Sequence, residues 1–295
     1  MKNRYVIITP ARDEEKFIEY TIQSVIGQTI LPQEWIIVDD GSTDNTVEVV
    51  RKYADRYPWI RLIELPDRKE RKFGGAIVEV FNRGLRNVRV SSYDFICKLD
   101  ADLSLPPNYF EFLFQKFDEN PRLGIASGCT FLRRGEKLVW ERTYENHTRG
   151  AMKVYRRRCF EDINGLIAQL GWDVIDDFKA QACGWETRGF KSLVVAHHRP
   201  MGSTGKGVIA GRVRWGEIQY LLNYHPVFAL GSGLYRMLES PYIIGGLAMW
   251  YGYLRSFFLR KERVAQGDLK SLIRRRQLER LKRIVTGLSR FGARR

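Results

Sequence analysis

The sequence predicts an α/β fold, with a mostly parallel sheet flanked by helices in the first two thirds of the chain. Short apolar runs alternate with segments of helical periodicity, and these runs end in polar clusters. The chain has 295 residues, 44% of them hydrophobic, which is enough for a sizeable core. Strands joined by helices run parallel, so their carboxyl ends meet at one edge of the sheet, where open α/β sheets bind ligands.

Four strands are expected in the first hundred residues, and the first is expected to be fully buried because its apolar run lacks the polar alternation of a half-exposed strand. They cover residues 5–9, 35–38, 60–65 and 93–99. The first strand is expected to end at Pro10, and Asp13 to cap the helix that follows. That helix has apolar residues at helical spacing, namely Ile18, Ile22, Val25 and Ile26. Two further helices are predicted at residues 46–57 and 76–86.

The pattern becomes less regular after Pro121. Further elements are predicted at residues 124–132, 137–144, 172–183 and 192–196, the third a helix and the others strands. Glycine, serine and threonine are frequent at residues 201–207, and a domain boundary is expected near Gly205. Residues 1–205 then form one domain with halves 1–123 and 124–205, and residues 206–295 form a C-terminal helical region.

Charge and cysteine usage restrict the class of protein. The net charge is +15, and residues 256–295 alone carry 13 Lys/Arg against 3 Asp/Glu. The four cysteines lie 24 to 32 residues apart without a Cys-x-x-Cys pair, which indicates reduced, buried thiols rather than a disulfide framework or a zinc site. The apolar run near the N-terminus is too short for a signal peptide, so a cytoplasmic location is expected.

Asp100 and Asp102 directly follow the strand at residues 93–99. Side chains two positions apart on an extended segment project the same way, so both carboxylates can face one ligand. Hard oxygen donors suit Mg²⁺ or Mn²⁺, which proteins commonly hold through one or two carboxylates together with substrate phosphates. An isolated Asp-x-Asp is most often a turn or a helix cap, so the interpretation depends on the other polar clusters at strand ends.

Four segments together resemble family 2 glycosyltransferases with the GT-A fold. They are residues 8–15 (ITPARDEE), 38–46 (VDDGSTDNT), 72–76 (KFGGA) and 98–102 (KLDAD). The resemblance covers about 200 residues and indicates a membrane-associated bacterial or archaeal type of enzyme. It implies that residues 1–123 bind a nucleoside-diphosphate sugar and that residues 124–205 bind the acceptor.

The resemblance assigns the donor-binding residues as Pro10, Ala11, Glu14, Asp40 and Asp100. Asp40 would hydrogen-bond the base, since a carboxylate can accept the imide N–H of uracil, and Asp102 would bind Mn²⁺ or Mg²⁺. The cluster that contains Asp40 could also act only as a helix cap. At the next motif, the side chains of Arg71 and Lys72 would neutralise the charge of the diphosphate. Gly74 and Gly75 would let backbone N–H groups approach it closely.

The predicted catalytic base is Asp173. In the family an Asp lies eleven positions before a Gly that often precedes Trp, and Gly184 and Trp185 select Asp173, with Trp172 in place of the usual Glu. A role as a mere helix cap is the alternative. Asp176 and Asp177 lie one turn further on, where either could orient a substrate or cap the helix.

The remaining polar candidates follow the strand at residues 192–196. His198 is predicted to bind the metal or the diphosphate, with His197 in a supporting role, although such a pair is as often structural. His147 and His225 are interpreted as structural. Residues 201–207 are interpreted as a lid over the diphosphate or an ordinary linker.

The C-terminal third indicates a membrane surface. Residues 240–254 contain no charge but are too few to cross a bilayer, and residues 269–288 form a basic amphipathic pattern. A soluble packing helix is the alternative. Nucleic acid is disfavoured as a partner because the aromatic residues are not interleaved with the arginines. The expected location is peripheral or monotopic, at the inner face of the cell membrane.

The predicted activity is that of an inverting, metal-dependent hexosyltransferase. The donor is a UDP- or GDP-sugar, and the acceptor is a hydroxyl of a glycan or lipid-linked glycan in envelope or polysaccharide synthesis. A polyprenyl-phosphate glycosyl synthase and a nucleotidyltransferase are the alternatives, and a non-enzymatic basic adaptor is a weaker third.

Overall fold

The computed structural model describes residues 3–67, 74–134, 137–140, 147–199 and 207–292. The chain divides into two compact units, Met1–Pro200 and Met201–Arg295. Strands and helices alternate in the first unit, whereas the described part of the second contains helices only. The α/β fold class predicted from the sequence is therefore confirmed.

The first half of the first unit consists of strand–helix repeats. Its strands are β1 (Tyr5–Ala11), β2 (Glu34–Asp39), β3 (Ile60–Glu64) and β4 (Phe95–Leu99). Its helices are α1 (Ile18–Ile26), α2 (Thr46–Arg56) and α3 (Gly75–Arg86). The strands pair in parallel in the order β3-β2-β1-β4, so the chain crosses from one side of β1 to the other on its way to β4. Ligands of open α/β sheets bind at such a reversal of strand order.

The second half adds strands and helices to the same sheet. Its strands are β5 (Leu103–Ser104), β6 (Leu123–Arg134), β7 (Lys137–Trp140), β8 (Met152–Arg156) and β9 (Glu186–His197). Its helices are α4 (Tyr109–Glu119), α5 (Arg157–Asp162) and α6 (Trp172–Ala182). The sheet continues from β4 through β8, β6 and β9 to β5, with β7 beside β6. Because β8 runs antiparallel to β4, its first residues lie beside the carboxyl end of β4.

The sheet is buried between two hydrophobic layers. Tyr5 and Ile7 of β1 belong to one buried cluster, whereas Val6 and Ile8 belong to the other. Successive residues of a strand point to opposite faces, so a strand covered on both sides is apolar at every position. This explains why the sequence located the first four strands to within two residues.

Several elements differ from the prediction. Pro10 does not end β1, since it pairs with Val38 and the strand continues to Ala11. The predicted strand at 192–196 is the last part of a twelve-residue strand whose first residues alternate between exposed and buried. The hydrophobic pattern also missed β8, because two of its five residues, Lys153 and Arg156, are basic. Helix α4 was missed as well.

The second unit contains α7 (Gly207–Leu221), α8 (Pro226–Arg236), α9 (Ile244–Phe258) and α10 (Gly267–Gly292). Helices α7 and α9 pack together, with the rings of Tyr220 and Tyr253 in an edge-to-face contact at 5.7 Å. Within the residues described above, no helix is both long and apolar enough to cross a membrane.

Candidate active site

The turn after β2 is held by Asp39. Its carboxylate accepts hydrogen bonds from the backbone N–H groups of Gly41 and Ser42, both at 3.0 Å, and Gly41 adopts φ of 75°. Asp39 therefore closes this turn, whereas α2 begins only at Thr46 and its N-cap residue, Asn45, makes no side-chain capping hydrogen bond. Asp40, the residue after Asp39, is half-buried, and its N–H donates to the carbonyl oxygen of Ala11 at 2.9 Å. Asp40 thus lies beside the end of β1 and is not needed to close the turn.

The loop after β1 is tied to the loop after β2. The Asp13 carboxylate accepts from the N–H of Thr43 at 2.9 Å, and the N–H of Glu14 donates to Thr46 Oγ1 at 2.7 Å. The predicted capping of α1 by Asp13 is wrong, because that helix begins at Ile18 and no side chain caps it. Asp13 instead has φ of 53° and joins the two loops, which fixes Glu14 at the reversal of strand order.

Asp102 is buried just beyond β4 and receives three nitrogen contacts on one oxygen. Arg199 Nε and Nη2 donate to Asp102 Oδ2 at 3.1 and 3.0 Å, and His197 Nε2 lies 3.5 Å from the same atom. The other oxygen, Oδ1, accepts no hydrogen bond from any described residue. Arg199 also donates to Glu14 Oε1, so one guanidinium joins the loop after β1 to the loop after β4.

Burial and neighbouring charges shift the pKa values of Glu14, Asp100 and Asp102. Burial raises the pKa of Glu14 to about 7, even though the Arg199 guanidinium opposes the shift. Burial also raises the pKa of Asp100, with Lys98 opposing and Asp102 adding to the shift. Burial would raise the pKa of Asp102 too, but His197 and Arg199 outweigh it and hold that pKa below its usual range. Three carboxylates thus lie close together, and Arg199 and Lys98 are the cations paired with them.

These residues fit a divalent cation if oxygen atoms of the substrate complete its coordination. Glu14 Oε2 is buried without a hydrogen-bond partner, and Asp102 has an oxygen without a donor. Carboxylates are suitable donors for Mg²⁺ or Mn²⁺. In the part of the chain that the structure describes, no three His, Cys, Asp or Glu side chains form a complete metal site. Two carboxylates with substrate phosphates are the usual arrangement for such cations.

The two histidines have different surroundings. His197 ends β9 and lies beside Asp102, whereas His198 Nε2 is 2.7 Å from Ser104 Oγ and its ring stacks on Tyr20 at 4.7 Å. Adjacent residues of an extended chain project to opposite sides, so only one of the pair can face the carboxylate. The structure places His197, and not the His198 that the sequence analysis preferred, beside Asp102, the residue predicted to bind the metal.

Lys153 organises the acidic cluster on α6. Its buried ammonium lies 2.6 Å from Asp176 Oδ1 and 3.1 Å from Asp177 Oδ1, and Asp177 also binds His147 Nδ1 at 2.7 Å. Burial raises the pKa of Asp176 to about 7, whereas Lys153 and His147 lower that of Asp177 despite burial. Asp176 is therefore a buried partner of Lys153 and Tyr155, and Asp177 is a buried partner of Lys153 and His147. The structural role expected for His147 is consistent with this contact.

Trp172 packs against two lysines that lie side by side on neighbouring strands. Lys98 and Lys153 are register partners in the β4–β8 pair, and their Nζ atoms lie 5.2 and 5.8 Å from the Trp172 ring centroid. Cations at such distances are attracted to an aromatic face. Lys98 also pairs with Asp100. The residue that replaces the usual Glu thus connects the acidic pair after β4 to the start of α6.

Asp173 differs from its acidic neighbours. It lies in the first turn of α6, it is half-buried, and no described side chain donates a hydrogen bond to its carboxylate. The cap position of α6 is Gly171, so the alternative role of Asp173 as a cap is not supported. A Cβ atom added to Gly150 would lie 2.9 Å from Asp173 Cβ, and the carbonyl oxygen of Ala151 accepts from the Asp100 N–H at 2.7 Å. Asp173 and Asp100 thus flank the same two-residue segment.

Part of the predicted site cannot be compared. Arg71, Lys72 and the lid at residues 201–206 lie outside the described residues. Gly74 and Gly75 are described and pack tightly against the backbone of residues 168–170, where a Cβ on Gly75 would lie 2.5 Å from the carbonyl oxygen of Ala168. Their lack of a side chain is therefore required by a loop contact.

Sequence reasoning missed Arg199, Lys98 and Lys153. Arg199 directly follows the two histidines, and that position was the one available signal.

The chain matches the profile of glycosyl transferase family 2 over residues 6–178, more than half of its length. The chain belongs to glycosyl transferase family 2. The predicted family and the transferase class are therefore confirmed. The matched region contains Asp40, Asp102 and Asp173, whereas Arg199 lies beyond it.

Two relatives illustrate the likeness in sequence. The chain is 26% identical over 127 residues to a poly-beta-1,6-N-acetyl-D-glucosamine synthase of Staphylococcus aureus (strain COL), which covers 43% of this chain and 28% of the relative. It is 32% identical over 111 residues to the uncharacterized glycosyltransferase YibD of Escherichia coli (strain K12), covering 38% of this chain and 29% of the relative. The chain thus aligns with less than a third of the length of these relatives.

Two solved structures share the fold. The mannosyltransferase PcManGT from Pyrobaculum calidifontis, in complex with GDP-Man and Mn²⁺, has a TM-score of 0.59 at 16% identity and covers 88% of both chains. S. aureus TarS 1–349 in complex with UDP-GlcNAc has a TM-score of 0.52 at 17% identity, covering 73% of this chain and 66% of that one.

Proposed function

We propose that this glycosyltransferase is an inverting, metal-dependent enzyme that moves a sugar from a UDP- or GDP-sugar to a hydroxyl of a glycan or lipid-linked glycan. One observation carries the proposal: Asp173, a carboxylate without a described donor, lies against Gly150, and the adjacent Ala151 accepts a hydrogen bond from the N–H of Asp100. A base and cation-binding carboxylates that contact one segment suit attack of an acceptor on a bound donor. The structures of similar fold hold GDP-Man with Mn²⁺ and UDP-GlcNAc, which supports the choice of donors.

On the donor side, the loops after β1 and β2 are the nucleotide pocket. Pro10, Ala11 and Glu14 line it, and Asp40 accepts a hydrogen bond from the base. Arg71 and Lys72, with backbone N–H groups near Gly74 and Gly75, counter the charge of the departing diphosphate. A divalent cation held by Asp102, with Glu14 and Asp100 as the neighbouring carboxylates, would supply further positive charge at those phosphates.

On the acceptor side, Asp173 accepts the proton of the acceptor hydroxyl. The hydroxyl oxygen bonds to the anomeric carbon while the bond from that carbon to the diphosphate oxygen breaks, and the electron pair leaves with the nucleoside diphosphate. Attack from the face opposite the leaving group inverts the anomeric configuration. A positioned general base contributes about 10²- to 10⁴-fold to such a step.

The proposed role of Asp173 is tested by Asp173→Asn, with Asp55→Asn on the exposed face of α2 as the matched control. We expect the variant to lose about 10²- to 10⁴-fold in kcat with the Kd for the donor unchanged, and the control to keep both. Release of nucleoside diphosphate from an acceptor mixture provides the rate. A near wild-type rate would remove Asp173 from this role and favour the polyprenyl-phosphate acceptor, since a phosphate is already ionised. Release of pyrophosphate would indicate a nucleotidyltransferase.

The proposed cation site is tested by binding. A panel of UDP- and GDP-sugars with Mn²⁺ or Mg²⁺ should raise the unfolding temperature, because a ligand of the native state stabilises it. We expect Asp102→Asn to lose the part of this stabilisation that depends on the cation. Equal stabilisation of the variant and the wild type by Mn²⁺ would exclude Asp102 as its ligand.

We further propose that the enzyme acts at the inner face of the cell membrane in envelope glycan or polysaccharide synthesis. The likeness to a polysaccharide synthase and the basic, apolar C-terminal region support this.

A further inference from the structure

Helices α8 and α9 each expose a row of large apolar side chains. The residues follow one another at intervals of three or four, which places each row on one face of its helix. They are Val227, Leu230, Leu234 and Leu238 along and just after α8, and Ile244, Leu247, Tyr251, Leu254 and Phe258 along α9. Each is between 49% and 75% exposed. We call residues 226–259 the apolar hairpin.

The two rows are joined by the connection between the helices. Tyr242 and Ile243 in that connection are also mostly exposed, and the helices contact each other through Trp250 Nε1, 3.3 Å from the carbonyl oxygen of Leu230. The exposed apolar surface therefore continues around the end of the hairpin. Soluble monomers rarely expose contiguous apolar patches larger than a few hundred Å², and larger patches mark an interaction surface.

Almost no charge interrupts this surface. The apolar hairpin has three charged residues, Arg236, Glu239 and Arg255, and the first two form an ion pair. Removal of the hairpin from water would therefore leave one charge, Arg255, without a partner inside it. Arg255 lies in the last turn of α9, where a long side chain can reach the polar boundary.

The helices are too short to cross a bilayer. Helix α9 has 15 residues and α8 has 11, which correspond to lengths of about 22 and 16 Å at 1.5 Å per residue. The hydrocarbon core is about 30 Å thick. A hairpin of this size can lie within the outer part of one leaflet, where Tyr242 and Tyr251 suit the headgroup boundary.

The positive charge of the second unit indicates which partner binds this apolar surface. Residues 201–295 carry 18 Lys/Arg against 5 Asp/Glu, so nearly all of the chain's net charge of +15 lies there. The basic residues begin directly after α9 with Arg260, Lys261 and Arg263, and continue along α10. Two copies of so basic a unit would repel each other, whereas an anionic headgroup layer attracts it.

We propose that the apolar hairpin inserts into the headgroup and upper acyl region of an anionic bilayer, with Arg260 and the exposed basic residues of the described part of α10 against the lipid headgroups. The hairpin then keeps the enzyme on the surface that holds a lipid-linked acceptor, a consequence that rests on the proposed function. The insertion itself depends only on the apolar rows and the charge.

The test is flotation of the full-length protein with vesicles of phosphatidylcholine alone or mixed with phosphatidylglycerol. We expect the wild type to float with the anionic vesicles and at least about ten-fold less with the neutral ones. Leu238→Glu/Phe258→Glu changes two of the most exposed positions, so its fold should survive, and it should lose at least about ten-fold in retention. Leu31→Glu, which changes an exposed leucine of the first unit, is the control and should float like the wild type.

Thermal stabilisation by the donor and Mn²⁺ is measured on the same preparations. Unchanged donor binding with lost flotation supports the hairpin independently of the reaction. Failure of every nucleotide-sugar with intact flotation would overturn the proposed function and leave the hairpin standing. A wild type that ignores anionic vesicles, or a double variant that floats as well as the wild type, overturns the proposal. So does a wild-type dimer that the double variant dissociates without any vesicle binding, since the hairpin would then bind a second copy.

Discussion

Glu14 is expected to destabilise the folded protein at neutral and alkaline pH. Its side chain is 12% exposed, and burial raises its pKa from the usual 4.5 to about 7 although Arg199 is bound to it. Below pH 4.5 both the folded and the unfolded chains hold this proton, so the group has no effect. Between pH 4.5 and 7 the unfolded chain releases the proton first, and stability falls as pH rises. At about 1.4 kcal/mol per pH unit, the full penalty above pH 7 is about 3 kcal/mol.

Glu14→Gln removes the ionisation and keeps an oxygen that can accept from Arg199. We therefore expect the variant to be more stable than the wild type by up to about 3 kcal/mol at pH 8 and about equally stable at pH 5. Urea unfolding at both pH values measures the difference, and Glu48→Gln, exposed on α2, is the control.

Two outcomes would refute this reasoning. A difference in stability that does not change between pH 5 and pH 8 would mean that burial does not raise the pKa of Glu14. A variant less stable than the wild type at pH 8 would mean that Glu14 is ionised in the folded protein and that its ion pair with Arg199 outweighs desolvation.

Two further predictions concern the acceptor side. Lys153→Met should lower the free energy of unfolding by about 3–5 kcal/mol, because it leaves two carboxylates buried without their cation, and adding Asp176→Asn should restore part of the loss. Urea unfolding measures both, and a single variant as stable as the wild type would contradict the ion-pair network. Gly150→Ala should lower kcat by about ten-fold or more with donor affinity unchanged, because the new Cβ displaces Asp173. Gly231→Ala, where a Cβ meets nothing within 4 Å, is the control, and equal rates for the two variants would contradict the proposed base.

The donor half of the site could be predicted because its signals are local. Strands β1, β2 and β4 are mostly apolar and almost entirely buried, so their ends are visible in the sequence, and Glu14, Asp40 and Asp102 follow those ends. Parallel connection then brings the three loops to one edge without any knowledge of side-chain contacts. The structure was needed to show that Asp39, and not Asp40, closes the turn, because the sequence does not distinguish two neighbouring carboxylates.

The sequence by itself determined the fold class, the family and the edge of the sheet at which the acidic residues meet, since these follow from periodicity and from the residues at strand ends. Only the tertiary structure decided which side chains contact each other. Arg199 contacts Glu14, which lies 185 positions earlier in the sequence. Lys153 contacts α6 from β8, a strand that the sequence pattern did not predict. Such pairings depend on strand register and on burial. A buried charge is tolerated only when its partner is in place, and neither register nor burial is visible in a local pattern.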